Sequence, residues 1–94
     1  MKLEWSADAL ADLDRFAEFL YDKHPNLAGI VAREIMAQAQ ILAEFPESGR
    51  PLHGRREYRQ LTLVVLNAPY VFQYRYDGMR LVMLRVLHGR EERD

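Results

Sequence analysis

Leu3 and Trp5 alternate with Lys2, Glu4 and Ser6, the two-residue period of a short strand. Ser6 stands where a helix N-cap belongs, and Asp8 falls in the first turn, where a carboxylate favours the helix dipole. Leu10, Leu13, Ala17 and Leu20 then recur at helical spacing, flanked by Phe16 and Tyr21, and predict an amphipathic helix with that stripe buried. His24-Pro25 stops it, because proline disfavours helical geometry at the residue before it. A second helix is predicted from about Leu27 to Phe45. Leu27, Val31, Ile35, Leu42 and Phe45 mark one face, widened by Ile30 and Ile41. Gly29 near its start costs about 1 kcal/mol relative to alanine, which a long apolar face can absorb. Pro46 ends it.

The second half changes character. Pro46-Glu47-Ser48-Gly49-Arg50-Pro51 is turn chemistry, and a basic loop runs on through Arg56. Three strand-like runs follow: Tyr58 to Leu66, Tyr70 to Tyr76 and Arg80 to Leu87, the first broken by Asn67-Ala68-Pro69. Asp77-Gly78 signals a hairpin. With Asp77-Gly78-Met79 as a three-residue loop with a bulge, Tyr70, Phe72 and Tyr74 share a face with Val82, Leu84 and Val86. The other face then displays Val71, Gln73, Arg75, Met83 and Arg85, whereas a two-residue loop would mix arginines into both faces. The expected fold is α+β, order β-α-α-β-β-β, a helical hairpin packed on one face of a small antiparallel sheet. Residues 1–94 are read as one domain.

Composition narrows the chemistry. No apolar run approaches the roughly 18 residues that a membrane-spanning helix needs. The N-terminus lacks the apolar stretch and cleavage site of a signal peptide and reads as the mature start of the first strand, so a cytoplasmic setting is expected. Absence of cysteine excludes disulfides and thiolate zinc sites. His24, His53 and His88 have no spacing that puts two on one helical face, so no metal or cofactor is expected. No glycine-rich phosphate loop is present, and Ser6, Ser48 and Thr62 sit in no nucleophile elbow.

The net charge of −1 argues against binding nucleic acid through phosphates alone. Its distribution says more. Residues 1–47 hold four basic groups (Lys2, Arg15, Lys23, Arg33) against nine acids, a net of −5. Residues 48–94 hold nine arginines (50, 55, 56, 59, 75, 80, 85, 90 and 93) against five acids, a net of +4. Such asymmetry suggests an electropositive surface for an acidic partner. The bland alternative is a solvated strand face. Arg59, Arg75, Arg85, His88 and Arg90 are the candidate binding residues. A metal-free ribonuclease would need a general acid or base, for which His88 is available, with Arg90 and Arg59 supplying positive charge.

Trp5, Ala9, Asp12-Leu13, Pro46, Gly49-Arg50, Pro69-Tyr70-Val71, Tyr74-Arg75 and the ending Arg85-Val86-Leu87-His88-Gly89-Arg90 together resemble the RelE/ParE superfamily of type II toxins. The resemblance spans nearly the whole chain and implies the same β-α-α-β-β-β order. RelE-like members cut messenger RNA on the ribosome and tend to carry an arginine directly after the aromatic that opens the third strand, with lysines or a glutamate upstream. Val71 stands at that position here, and Glu47 to Met79 contains no lysine. Arg90 and His88 still match positions of that branch. The Pro69-Tyr70-Val71 opening and His88-Gly89-Arg90 ending look more like ParE toxins. That resemblance implies a DNA gyrase inhibitor held inactive by a cognate antitoxin in a hetero-oligomer, the antitoxin folding onto exposed apolar surface as it binds. The alternatives are a ribosome-dependent mRNA endoribonuclease and a non-toxic antitoxin-binding module.

Overall fold

The computed structural model describes residues 1–91; Arg93 of the basic half lies outside them. β1 (Leu3–Trp5) turns through Ser6 into α1 (Ala7–Tyr21). The short helices α2 (Pro25–Ala28), α3 (Val31–Ala39) and α4 (Ile41–Glu44) bring the chain back to β2 (Arg50–Leu52), β3 (Arg55–Val65), β4 (Ala68–Tyr76) and β5 (Leu81–His88). The sheet order is β1-β5-β4-β3-β2, with β4 at the centre. The helices and one sheet face enclose a single hydrophobic cluster that includes Leu13, Phe16, Ile35, Phe72, Tyr74 and Met83. This is the expected α+β arrangement. No helix among the described residues is long and apolar enough to cross a membrane.

Several details depart from the sequence pattern. The sheet is mixed, because β1 lies parallel to β5 while the other pairs are antiparallel. A parallel neighbour needs a long connection, and everything between Trp5 and Leu81 supplies it. Arg50–Leu52 forms a strand instead of continuing the turn, pairing Arg50 with Gln60. The single helix expected from Leu27 to Phe45 is three pieces, interrupted around Gly29-Ile30 and at Gln40. Val31, Ile35, Ala39 and Leu42, spaced as one helical stripe, all reach the core, while Ile41 and Phe45 stay exposed.

β5 is phased differently as well. The Asp77 loop has four residues, Tyr76 pairing with Leu81. Asp77 Oδ1 accepts the N–H groups of Arg80 and Met79, each at 2.9 Å, and these bonds hold its carboxyl down to about 2. Further along, Tyr74 pairs with Met83 but Gln73 with Arg85, so Leu84 is the extra residue of a bulge. Leu81 and Met83 before it and Val86 after it therefore face the core beside Tyr74 and Phe72. The expected partners Val82 and Leu84 are only half-buried.

α1 is also rotated relative to its apolar stripe. Its buried residues are Ala9, Asp12, Leu13 and Phe16, and Leu10 and Tyr21 point outward. Asp12 is the cause. β1 covers β5 only opposite Leu81 to Met83. Beyond that, side chains near and on α1 satisfy the edge. Ser6 donates its N–H to Met83 O and its hydroxyl to Leu84 O, both at 3.0 Å, while Oγ caps α1 by accepting from Ala9 N–H. Asp12 Oδ2 accepts the Val86 N–H at 2.8 Å and the Arg85 Nε–H at 2.8 Å; Oδ1 accepts from Arg85 Nη2 at 3.0 Å and Arg15 Nη2 at 3.1 Å. Burial alone would raise the Asp12 carboxyl, but Arg85, the Val86 amide and Arg15 outweigh it and leave it below the usual carboxylate value.

Phe72→Ala and Met83→Ala should each destabilise by about 2–5 kcal/mol in denaturant unfolding, with Leu84→Ala costing clearly less; a Leu84 loss equal to that at Met83 would contradict the bulge. Asp12→Ala should cost about 3 kcal/mol, because it strands a buried amide and leaves Arg85 unpaired. With its folded pKa depressed, Asp12 contributes stability that is present above the ordinary carboxylate pKa of about 4 and lost as pH falls through the folded value. Asp12→Asn should flatten that acid limb in unfolding curves measured from pH 6 to pH 2.

Candidate functional site

The β3–β4 connection is a two-residue turn, Leu66-Asn67, closed by the Val65–Ala68 pair. Both residues have positive φ, 51° and 65°, the pattern of the hairpin turn whose twist matches its strands. Asparagine tolerates this conformation; leucine rarely adopts it. Leu66 is held there by packing against the core. At the same end of the sheet, the close of β5 brings Gly89 against Pro69, its N–H donating to Pro69 O at 2.8 Å. A Cβ at Gly89 would sit 2.7 Å from Pro69 Cγ, which explains the need for glycine in His88-Gly89-Arg90.

Between this end of the sheet and the helices lies a groove of about 440 Å³. Phe16, Phe19 and Leu20 of α1, Leu27 of α2, the Leu66-Asn67 turn, Tyr70, and His88 to Glu91 around Gly89 form its walls. Phe16, Tyr70 and His88 stack edge to face in sequence, at 5.1 and 5.2 Å between centroids. Burial, helped by Glu91, raises the Tyr70 phenol above its ordinary value. Phe19 is 75% exposed, a large apolar side chain on an otherwise polar helix face. His88 Nδ1 accepts the Arg90 N–H at 3.1 Å, so a neutral His88 ring carries its proton on Nε2. Arg90 has no ion pair among the described residues.

The other sequence candidates are placed elsewhere. Arg59 donates to the carbonyls of Gly49 at 2.7 Å and Glu47 at 3.2 Å and pairs with the Glu47 carboxylate, clamping the loop that enters β2. Its Nε is buried without a partner among the described residues. Tyr74 holds the same loop, accepting the Gly49 N–H at 2.9 Å and donating to Pro46 O at 2.7 Å. A Cβ at Gly49 would lie 2.7 Å from the Tyr74 hydroxyl, the physical basis of that motif position. Arg75 lies between Glu57 and Asp77, and Arg85 is taken by Asp12. Arg59 is opposite Tyr74 and His88 opposite Tyr70. Four residues of strand at about 3.4 Å each put them roughly 14 Å apart along the strands, and two strand spacings of about 4.8 Å lie between them across β4.

The structure thus brings His88 and Arg90 together and leaves Arg59, Arg75 and Arg85 apart. Among the described residues, acids of the first half pair with arginines of the second at Glu4–Arg80, Asp12–Arg85 and Glu47–Arg59. Much of the charge asymmetry is consumed inside the molecule. On the sheet face away from the helices, Val71 lies between Thr62 and Leu87 and is only 2% exposed, beside a Gln73–Gln60 hydrogen bond of 3.1 Å. No group of three histidine or carboxylate side chains among the described residues is placed to hold a metal. The sequence placed Tyr70 on the apolar sheet face and in the Pro69-Tyr70-Val71 motif, but it did not mark Phe19 or Leu66 as site residues. An unexplained phenylalanine off the helical stripe was the one available signal.

The family model described as the ParE toxin of type II toxin-antitoxin system, parDE, matches residues 3–93. The chain is 30% identical over 93 residues to a protein of Sinorhizobium fredii named "Putative toxin Y4kP", covering 97% of this chain and 91% of that one. Among solved structures it is similar to a chain of the "Chromosomal ParDE TA system from P. aeruginosa". The TM-score is 0.73, with 26% identity over 94% of this chain and 95% of that chain.

The groove separates residues needed for folding from those that are not. Phe19→Ser should change stability by less than about 0.5 kcal/mol, whereas Phe16→Ala should cost about 3–5 kcal/mol. A comparable loss at Phe19 in thermal unfolding would make it a core residue and remove it from the candidate site.

Proposed function

Because the chain belongs to the ParE toxin family of type II toxin-antitoxin systems, we propose that it acts in the cytoplasm as an inhibitor of DNA gyrase and is neutralised by a cognate antitoxin in a hetero-oligomer. The observation that favours this over ribonuclease action is the dispersal of the groups such a reaction needs. His88 and Arg59 lie roughly 14 Å apart along the strands and on opposite sides of β4, and Arg59 is spent on the Glu47–Gly49 loop. Val71 occupies the open sheet face where the ribonuclease branch resembles itself in carrying arginine, and it is nearly inaccessible. A phosphoryl-transfer site gains most from cations preorganised around the developing charge. Here Arg59, Arg75 and Arg85 are paired to the protein's own acids.

The groove suits a macromolecular partner. Exposed Phe19, the apolar floor and Arg90, which has no ion pair among the described residues, match a segment that presents apolar side chains next to a carboxylate. A disordered antitoxin tail that folds on contact would bury that surface. His88 and Arg90 are the residues assigned to binding the antitoxin segment, with Arg59, Arg75 and Arg85 shaping the surfaces that carry them.

Induced expression of wild type and His88→Ala, with transcript cleavage read by primer extension and supercoiling assayed with purified gyrase, tests the reading. Inhibited supercoiling, intact transcripts and toxicity retained within a few-fold in His88→Ala are expected, because no proton moves through the ring. Cleavage by wild type that falls about 10²–10⁴-fold in His88→Ala, with supercoiling unaffected, would establish the ribonuclease instead. Neither activity would leave a binding module.

A further inference from the structure

The wall of the groove formed by Arg90 and Glu91 follows on from Gly89, and this turn is attached to the rest of the molecule in two unequal ways. At its root, Gly89 N–H is bonded to Pro69 O and a Cβ-free contact seats it against the Pro69 ring. At its far end the Arg90 and Glu91 N–H groups bond back to His88, at Nδ1 and O, and among the described residues the tie to α1 is the Glu91 carboxylate. One carboxylate oxygen accepts the His88 N–H at 2.8 Å, and the other accepts from Arg15 Nη1 on α1. Arg15 is itself fixed: its other terminal nitrogen donates to Asp12 Oδ1, and its guanidinium lies 4.7 Å over the Phe16 ring.

The two ends of this chain of contacts differ in exposure. The Asp12 side chain is 5% exposed, whereas Arg15 and Glu91 are 41% and 39% exposed. An exposed ion pair of this kind shifts an equilibrium by about five-fold at most and is weakened by salt. A buried carboxylate that holds an amide and two guanidiniums does not let go on that scale. We propose that Gly89–Glu91 is a latch on the groove, with Arg15 as its fixed post and the Glu91 carboxylate as the releasable catch. A carboxylate on an incoming segment replaces Glu91 on Arg15 like for like, so the catch opens at little cost and the groove widens as it is filled.

The latch concerns access to the groove that is read above as the partner's seat, but it is a property of the free chain and is tested without a partner. Amide hydrogen exchange is measured on wild type, Glu91→Ala and Glu91→Gln at 0.05 and 0.5 M NaCl. Exchange at His88 should rise about five-fold in Glu91→Ala at low salt, while Val86, whose amide is held by Asp12, should not change. Salt should bring wild type most of the way to Glu91→Ala. Glu91→Gln, which keeps an acceptor for the His88 amide but loses the charge, should be salt-independent. Equal protection of His88 in all three proteins would overturn the latch. So would a joint rise at His88 and Val86, which would mean general loosening of α1 from the sheet.

Discussion

From Leu84 onward β5 has no strand on its outer side, and its main-chain groups there are met by side chains from the start of α1 and from the C-terminal turn. An open edge of this kind leaves amides to pair with whatever approaches. Ser6 takes two carbonyls, Asp12 takes the Val86 amide and Glu91 takes the His88 amide. Asp12 bears most of the load, because a single buried carboxylate fixes the edge strand, the helix above it and two arginines. The rotation of α1 follows from it, and so does the inward face of Phe16 and the outward face of Phe19 that together define the groove.

The Leu84 bulge belongs to the same constraint. It places the Leu84 carbonyl on the Ser6 hydroxyl while Met83 and Val86 both reach the core. Without the extra residue, β5 would have to choose between burying Met83 and burying Val86, since an uninterrupted strand alternates faces. The turn from β1 into α1 and the phase of the central sheet are therefore set at one point.

Charge has a structural use here that its distribution along the chain conceals. Acids of the first half meet arginines of the second at Glu4–Arg80, Asp12–Arg85 and Glu47–Arg59. Of these, Asp12–Arg85 is the pair that ties a helix to the sheet, and together they occupy three of the second half's arginines. The open sheet face, which would be the natural platform for a polyanion, presents Val71, Thr62 and two glutamines at its centre. The groove at the other end of β4 keeps exposed Phe19 and Arg90, which has no ion pair among the described residues. A protein partner is better matched to that arrangement than a phosphate backbone.

The order of elements, the α+β class, the Ser6 cap, the stops at Pro25 and Pro46 and the family were all legible in the residues, because each rests on local chemistry or on short motifs in a set order. The same is true of Gly49 and Gly89 as motif positions, although not of their reasons, Tyr74 and Pro69 respectively. What tertiary structure alone decided is where local periodicity and long-range bonding disagree. Asp12 reads as a solvent-facing position, yet an amide 74 residues away and two guanidiniums draw it inside and turn the helix. Leu84 reads as a core residue until a bulge, invisible to alternation, shifts the strand by one. Arg59, Arg75 and Arg85 read as a binding surface until their acids arrive from distant segments. Periodicity reports the cost of burying one side chain; it carries no information about the partner that can remove that cost.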